Sequence, residues 1–169
     1  PSASEIARAS SIEEQAASTD LSLLRREAAK LAREYEITRA SMPPGDNRTR
    51  RMEIVVAKMR VLGRALFAIR HEYMTSPSPG FRLVAIACMQ VRPDYESLDW
   101  LAERIGEKPF VGYHALVALL VAARDPLAPH YKDALKAALA KLEPLRPSLA
   151  ADADRAQTLD AFRAAVNAL

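Results

Sequence analysis

Cys88 and His114 are the two side chains whose types suit nucleophilic chemistry, since a thiol attacks once an imidazole beside it has taken its proton. Residues 79–91 and 109–121 superimpose at a shift of 30, setting Pro79 on Pro109, Ala85 on Ala115 and Met89 on Leu119. The counterpart of Cys88 is then Ala118, one helical turn from His114, so the two side chains could approach each other. Against a dyad stands the apolar run Val84 to Met89, which raises a thiol pKa and hides its sulfur. No orienting acid or oxyanion donor accompanies the pair. Core packing accounts better for both residues, and an enzyme using Cys88 and His114 is the weakest of three readings.

His71, His114 and His130 lie far apart, with no His-x-x-x-His and no carboxylate or cysteine at ligand spacing, so no metal is expected. Glycine-rich phosphate cradles and the Gly-x-Ser-x-Gly elbow are missing, and no cofactor is expected. Glu96, Asp99 and Glu103 sit at helical spacing, where solvated charge is the usual meaning.

A second candidate chemistry is anion binding. Net charge is only +3, too little to demand a polyanionic partner, yet eight bases and two acids fall between Arg39 and His71. Arg48, Arg50, Arg51, Lys58 and Arg64 form the candidate patch for nucleic acid, which would bind them with marked salt dependence. On a helical wheel Arg51 and Lys58 flank one side of an apolar seam, Arg60 and Arg64 flank the other, and Arg50 points away. The favoured expectation is therefore a solvated face, or salt bridges to Glu27, Glu34 and Glu36 of the preceding helix.

The elements that would position these groups are helices. The chain has 169 residues, is 50% hydrophobic and 27% charged, and has only 5 glycines; with abundant Ala and Leu, this is the profile of an all-α domain with a sizeable core. One cysteine allows no internal disulfide and fits a reducing, cytoplasmic setting. The longest apolar run, Phe110 to Ala123, is too short to span a bilayer, so no membrane is expected as partner. Residues 1–19, rich in Ser and Ala, read as a flexible linker or tail, as in a fragment of a longer protein.

A single helical domain is expected over 20–169. Asp20 caps a first helix with Leu21, Leu24, Ala28, Leu31 and Tyr35 on one seam, ended by Pro43-Pro44-Gly45. A second helix packs on it as an antiparallel hairpin over 20–75, with Met52, Val55, Val56, Met59, Leu62, Leu66 and Phe67 facing inward. Its opposite side is also apolar, through Ile54, Val61, Ala65 and Ala68. The favoured expectation is that both strips are covered within this chain; otherwise the second strip meets another subunit or domain. Ser78-Pro79 opens a helix pair, Pro109 a second pair, and Asp152 a final capping helix within 150–169.

The 30-residue period, with Arg82-Leu-Val-Ala-Ile86 and the turn Val91-Arg-Pro-Asp94, resembles HEAT-like repeats over 78–143. The resemblance implies two stacked helix pairs that hide their apolar faces only against neighbours. Arg51 to Met59 and Lys108 to His114 also look like helical segments attached to effector modules in bacterial signalling and defence proteins. The leading reading is a non-catalytic scaffold or interaction domain, a regulatory or assembly segment of a larger protein, binding a protein partner or itself. Ile54, Val61, Tyr95 and Trp100 are its candidate interface residues, with Phe110 as a further aromatic anchor, although core packing accounts better for Trp100 and Phe110.

Overall fold

The computed structural model describes residues 2–169, and the side chains of all but 9, 10 and 12–19 among them. The fold is all-α, with no strand among the described residues. In chain order the helices are α1 (Ala3–Ser41), α2 (Asp46–Leu66), α3 (Arg70–Met74), α4 (Pro79–Val91) and α5 (Leu98–Arg104). They continue as α6 (Pro109–Arg124), α7 (Lys132–Leu142), α8 (Arg146–Leu149) and α9 (Ala153–Asn167).

α4 is the centre. Gly80 and every residue from Leu83 to Gln90 are buried, because α1, α2, α3 and α6 pack around it. Gly80 permits the closest of these approaches, since a Cβ there would meet the Ala32 carbonyl oxygen at 2.4 Å. Gly63 does the same for α2, where a Cβ would lie 2.7 Å from Val91. α6 adds the second layer by packing on α4, α5 and α9, and α7 packs on α5 and α9. α4 and α6 each carry their proline in the first turn, where a missing N–H costs no helical hydrogen bond. Ser78 caps α4 by accepting from the Phe81 N–H, and Asp152 caps α9 by accepting from the Arg155 N–H.

Three boundaries differ from expectation. α1 begins at Ala3, not near Asp20, with Ser2 and Glu5 forming a capping box. The Ser-x-x-Glu signature is local, and an Ala-rich sequence favours helix without needing tertiary contacts. The stretch expected as a linker over 1–19 is thus helical from Ala3 onward. α2 ends at Leu66 instead of running to the mid-70s: a 3₁₀ turn at Phe67–Ile69 separates it from α3. Gly45, at φ 150°, takes the cap position of α2 that Asp46 was expected to fill, a backbone conformation glycine adopts without steric cost.

Candidate functional site

The outer face of α2 is where this fold leaves apolar surface uncovered. Its inner residues Met52, Val55, Val56, Met59, Gly63 and Leu66 are buried. On the opposite side Ile54 is 51% and Val61 82% exposed, Ala65 is exposed along the same face, and Ala68 is exposed in the 3₁₀ turn that follows. The expectation that both strips are covered within the chain is therefore corrected. The helix is apolar on two sides, but α1 and α4 both pack on its inner side.

The strip runs into an open groove of about 780 Å³, whose wall includes Ala68, Phe67, Tyr95, Leu127 and Tyr131. Tyr95 and Tyr131 stack with ring centroids 3.9 Å apart and planes 7° from parallel. Tyr95 is fixed by donating its hydroxyl to the Ala122 carbonyl at 2.9 Å. Burial first, then the nearby Asp125 and Tyr131, pushes the Tyr95 phenol up to about 12, so it remains a donor. Leu127 and Tyr131 stay 55% and 41% exposed.

A buried ion pair builds the groove floor. Arg70 Nε donates to Asp94 Oδ2 at 2.5 Å and its NH1 to the Phe67 carbonyl at 3.1 Å. The Phe67 ring lies under two guanidiniums, Arg70 at 4.1 Å and Arg92 at 4.4 Å, a cation–π arrangement. Burial works against the Asp94 charge, but hydrogen bonds from Arg70 and Ser97 outweigh it and hold the carboxyl below its ordinary value.

Ile54, Val61 and Tyr95 thus belong to one surface, joined through Ala68. Trp100 does not: it packs against the core from α5, with the Arg104 guanidinium 5.0 Å from its ring centroid. Phe110 is buried and stacks on Tyr35. It also walls a cavity of about 330 Å³ between α1, α2, α6 and α9, which Arg39, Arg48, Glu53 and Tyr113 line with it.

The candidate basic patch divides. Arg48 is partly buried and donates NH1 to the carbonyls of Arg39 and Met42, closing the end of α1. Arg50, Arg51, Lys58 and Arg64 are exposed. The expected salt bridges from these bases to Glu27, Glu34 and Glu36 do not form; Glu36 instead accepts from the Ser78 hydroxyl and the Gly80 N–H. Glu53, the one carboxylate in the body of α2, turns inward.

Glu53 meets His114. Its Oε1 lies 2.9 Å from His114 Nε2, while Gln90 Nε2 lies 3.0 Å from both His114 Nδ1 and the His114 carbonyl. Arg60 NH1 donates to Gln90 Oε1 at 3.0 Å, which orients the amide so that its NH₂ faces the imidazole. Nδ1 then accepts and Nε2–H donates to Glu53. Both ring nitrogens are occupied, and neither bonds Cys88, which is fully buried and whose thiol burial pushes up to about 12. The geometry clamps α2, α4 and α6 together and does not assemble a Cys88–His114 nucleophile. Among the described residues, no three His, Cys, Asp or Glu side chains gather as metal ligands. No single helix there is long and apolar enough to cross a membrane.

The groove partners Leu127 and Tyr131 were not read as site residues. Their one local signal is Leu127 inside a Pro-rich turn, Asp125-Pro-Leu-Ala-Pro129, with Tyr131 two residues beyond it, where a core helix has already ended. Compared with known protein families, curated proteins and solved structures, the chain matches none.

Proposed function

We propose that the chain is a non-catalytic helical interaction domain whose docking surface is the outer face of α2, continued into the Tyr95–Tyr131 groove. The observation that carries this is Val61, 82% exposed on a helix whose other side is core. Single exposed apolar residues are ordinary on any surface. Here Ile54, Val61 and Ala65 share one face of α2, and exposed Ala68, in the 3₁₀ turn that follows, lines the groove with exposed Leu127 and Tyr131.

The occupant this face fits is a helix with an apolar stripe bordered by carboxylates, laid in the manner of helix-in-groove recognition. Arg50, Lys58 and Arg64 border the strip, and Glu53 is spent on His114. A two-fold pairing of α2 with α2 would set these bases against their own images, which like-charge repulsion disfavours. Nucleic acid is favoured less: Arg48 is engaged in closing α1, and the remaining bases are interleaved with apolar groups that offer a phosphate nothing.

The prolines opening α4 and α6, with α4 on α6 and α5 on α7, support reading the rest as HEAT-like pairs that hold the docking face rigid. A regulatory or assembly segment of a larger cytoplasmic protein fits this role. The test is a photo-crosslinking side chain at position 61 in the full protein, in the cell that makes it, with the exposed Ala164 of α9 as control position. Discrete covalent adducts at 61 and none at 164 are expected; equal yields at the two positions would sink the proposal.

A further inference from the structure

The cavity of about 330 Å³ beside Phe110 lies on the inner side of α2 and has the size of a small-molecule site. Its lining divides by charge. Arg39, from the last turn of α1, and Arg48, from the first turn of α2, form one side. Asp152, the cap of α9, and Asp154, in the first turn of that helix, form the other. Among the described residues no ion pair joins the two sides. Thr49 and Asp154 are exposed, so the cavity is open to solvent.

Two of the carboxylates at the cavity are already engaged. Glu53 meets His114 through Oε1, and Asp152 both caps α9 and accepts from Arg155 Nε at 2.7 Å. Asp154 makes no ion pair among the described residues; only its backbone carbonyl accepts a hydrogen bond, from Thr158. On the other side Arg48, whose NH1 closes α1, has its Nε buried with no acceptor. Arg39 makes no ion pair among the described residues and faces the Tyr35 hydroxyl, which is buried and has no hydrogen-bond partner. Tyr35 stacks on Phe110, a wall of the cavity. Buried polar atoms without partners are rare, and a guanidinium nitrogen is satisfied only by an acceptor. The first turns of α2 and α6 line the cavity too, and no side chain caps either helix, which favours negative charge there.

We propose that this cavity binds a small zwitterion of the amino-acid class, with its carboxylate held by Arg39 and Arg48 and its ammonium by Asp154. Met52, Pro109 and Phe110 supply the apolar wall on which an apolar side chain packs. A guanidinium pair is suited to a planar carboxylate. Inorganic phosphate suits the site less, because Glu53, Asp152 and Asp154 repel a dianion and give it no donor.

NMR titration of the full chain with L-phenylalanine, L-leucine and L-methionine decides it. The control probes are 3-phenylpropanoate, which lacks the amine, 2-phenylethylamine, which lacks the carboxylate, and inorganic phosphate. At least one amino acid is expected to bind at millimolar concentration or below, shifting Phe110 and Tyr113 resonances, and more tightly than any control probe. Arg39→Gln should weaken the amino acid and 3-phenylpropanoate by about tenfold, the worth of a hydrogen bond to a charged group, and leave 2-phenylethylamine unchanged. Asp154→Asn should weaken the amino acid and 2-phenylethylamine and leave 3-phenylpropanoate unchanged. No binding by any of the three amino acids, or phosphate bound more tightly than they are, overturns the proposal. So does an equal loss of every probe in both variants, which would show the two residues acting only through the fold.

Discussion

α4 and the outer face of α2 are both apolar helix surfaces, and the fold treats them oppositely. α4 is enclosed by four neighbours, so that Leu83 to Gln90 are buried. α2 spends one side on the same core and leaves Ile54 and Val61 in water. The difference follows from glycine and contact geometry. Gly80 and Gly63 bring α1 and α2 so close to α4 that the core closes over the inner face of α2 alone. Apolar residues inside this fold hold it together; those on the far side of α2, largely left in water, add little to its stability.

The comparison predicts a gradient of mutational cost. The largest effect belongs to the Arg70–Asp94 pair under the groove, whose side chains are 11% and 3% exposed. Asp94→Asn leaves the buried guanidinium with only the exposed Glu96 carboxylate, 3.7 Å away, as counter-charge and should cost about 3–5 kcal/mol in chemical denaturation. The same pair sets an acid limit. The Asp94 pKa is depressed in the folded state, so its contribution is complete above the unfolded carboxyl value, about 3.9. It is lost as pH falls through the lower folded value. Thermal melts from neutrality downward should therefore fall steeply below about pH 4, and the Asp94→Asn protein should show a shallower fall. In α4 itself, Ile86→Ala should cost about 2–5 kcal/mol, because the cavity is closed on every side.

Cys88 supplies a chemical version of the same contrast. Its thiol is buried in α4 and, with burial pushing its pKa up to about 12, holds almost no thiolate at neutral pH. Alkylation should be slow in the folded protein and fast once denaturant exposes α4. A cysteine placed at Val61 should instead react at the rate of a free thiol. Fast modification of Cys88 under native conditions would mean that the core opens locally.

The sequence made the helices legible where the signal is local. Ser78-Pro79, Asp152 and the Pro43-Pro44-Gly45 break all mark real boundaries, because capping and proline chemistry act within a turn. The Ser2–Glu5 capping box was equally local, but the Ser- and Ala-rich composition of 1–19 masked it. Periodicity showed that α2 has two apolar sides; which side a neighbour covers is set by helices 20 to 50 residues away. The groove and the His114 clamp were illegible for the same reason. Glu53 and His114 are 61 residues apart in sequence, and no spacing rule joins Tyr95 to Tyr131.

The smallest predicted effect discriminates most. Val61→Ser removes an apolar side chain that touches water on nearly all sides, so its stability change should lie within about 0.5 kcal/mol. Ile54→Ser, 51% exposed, should stay close to that limit. If instead either substitution costs as much as Ile86→Ala, the strip is covered by part of this chain and the α2 face is core. If both are neutral for folding while contact at position 61 is lost, the two sides of α2 carry separate duties. Core mutations would then change how much folded protein is present, and strip mutations only what it binds.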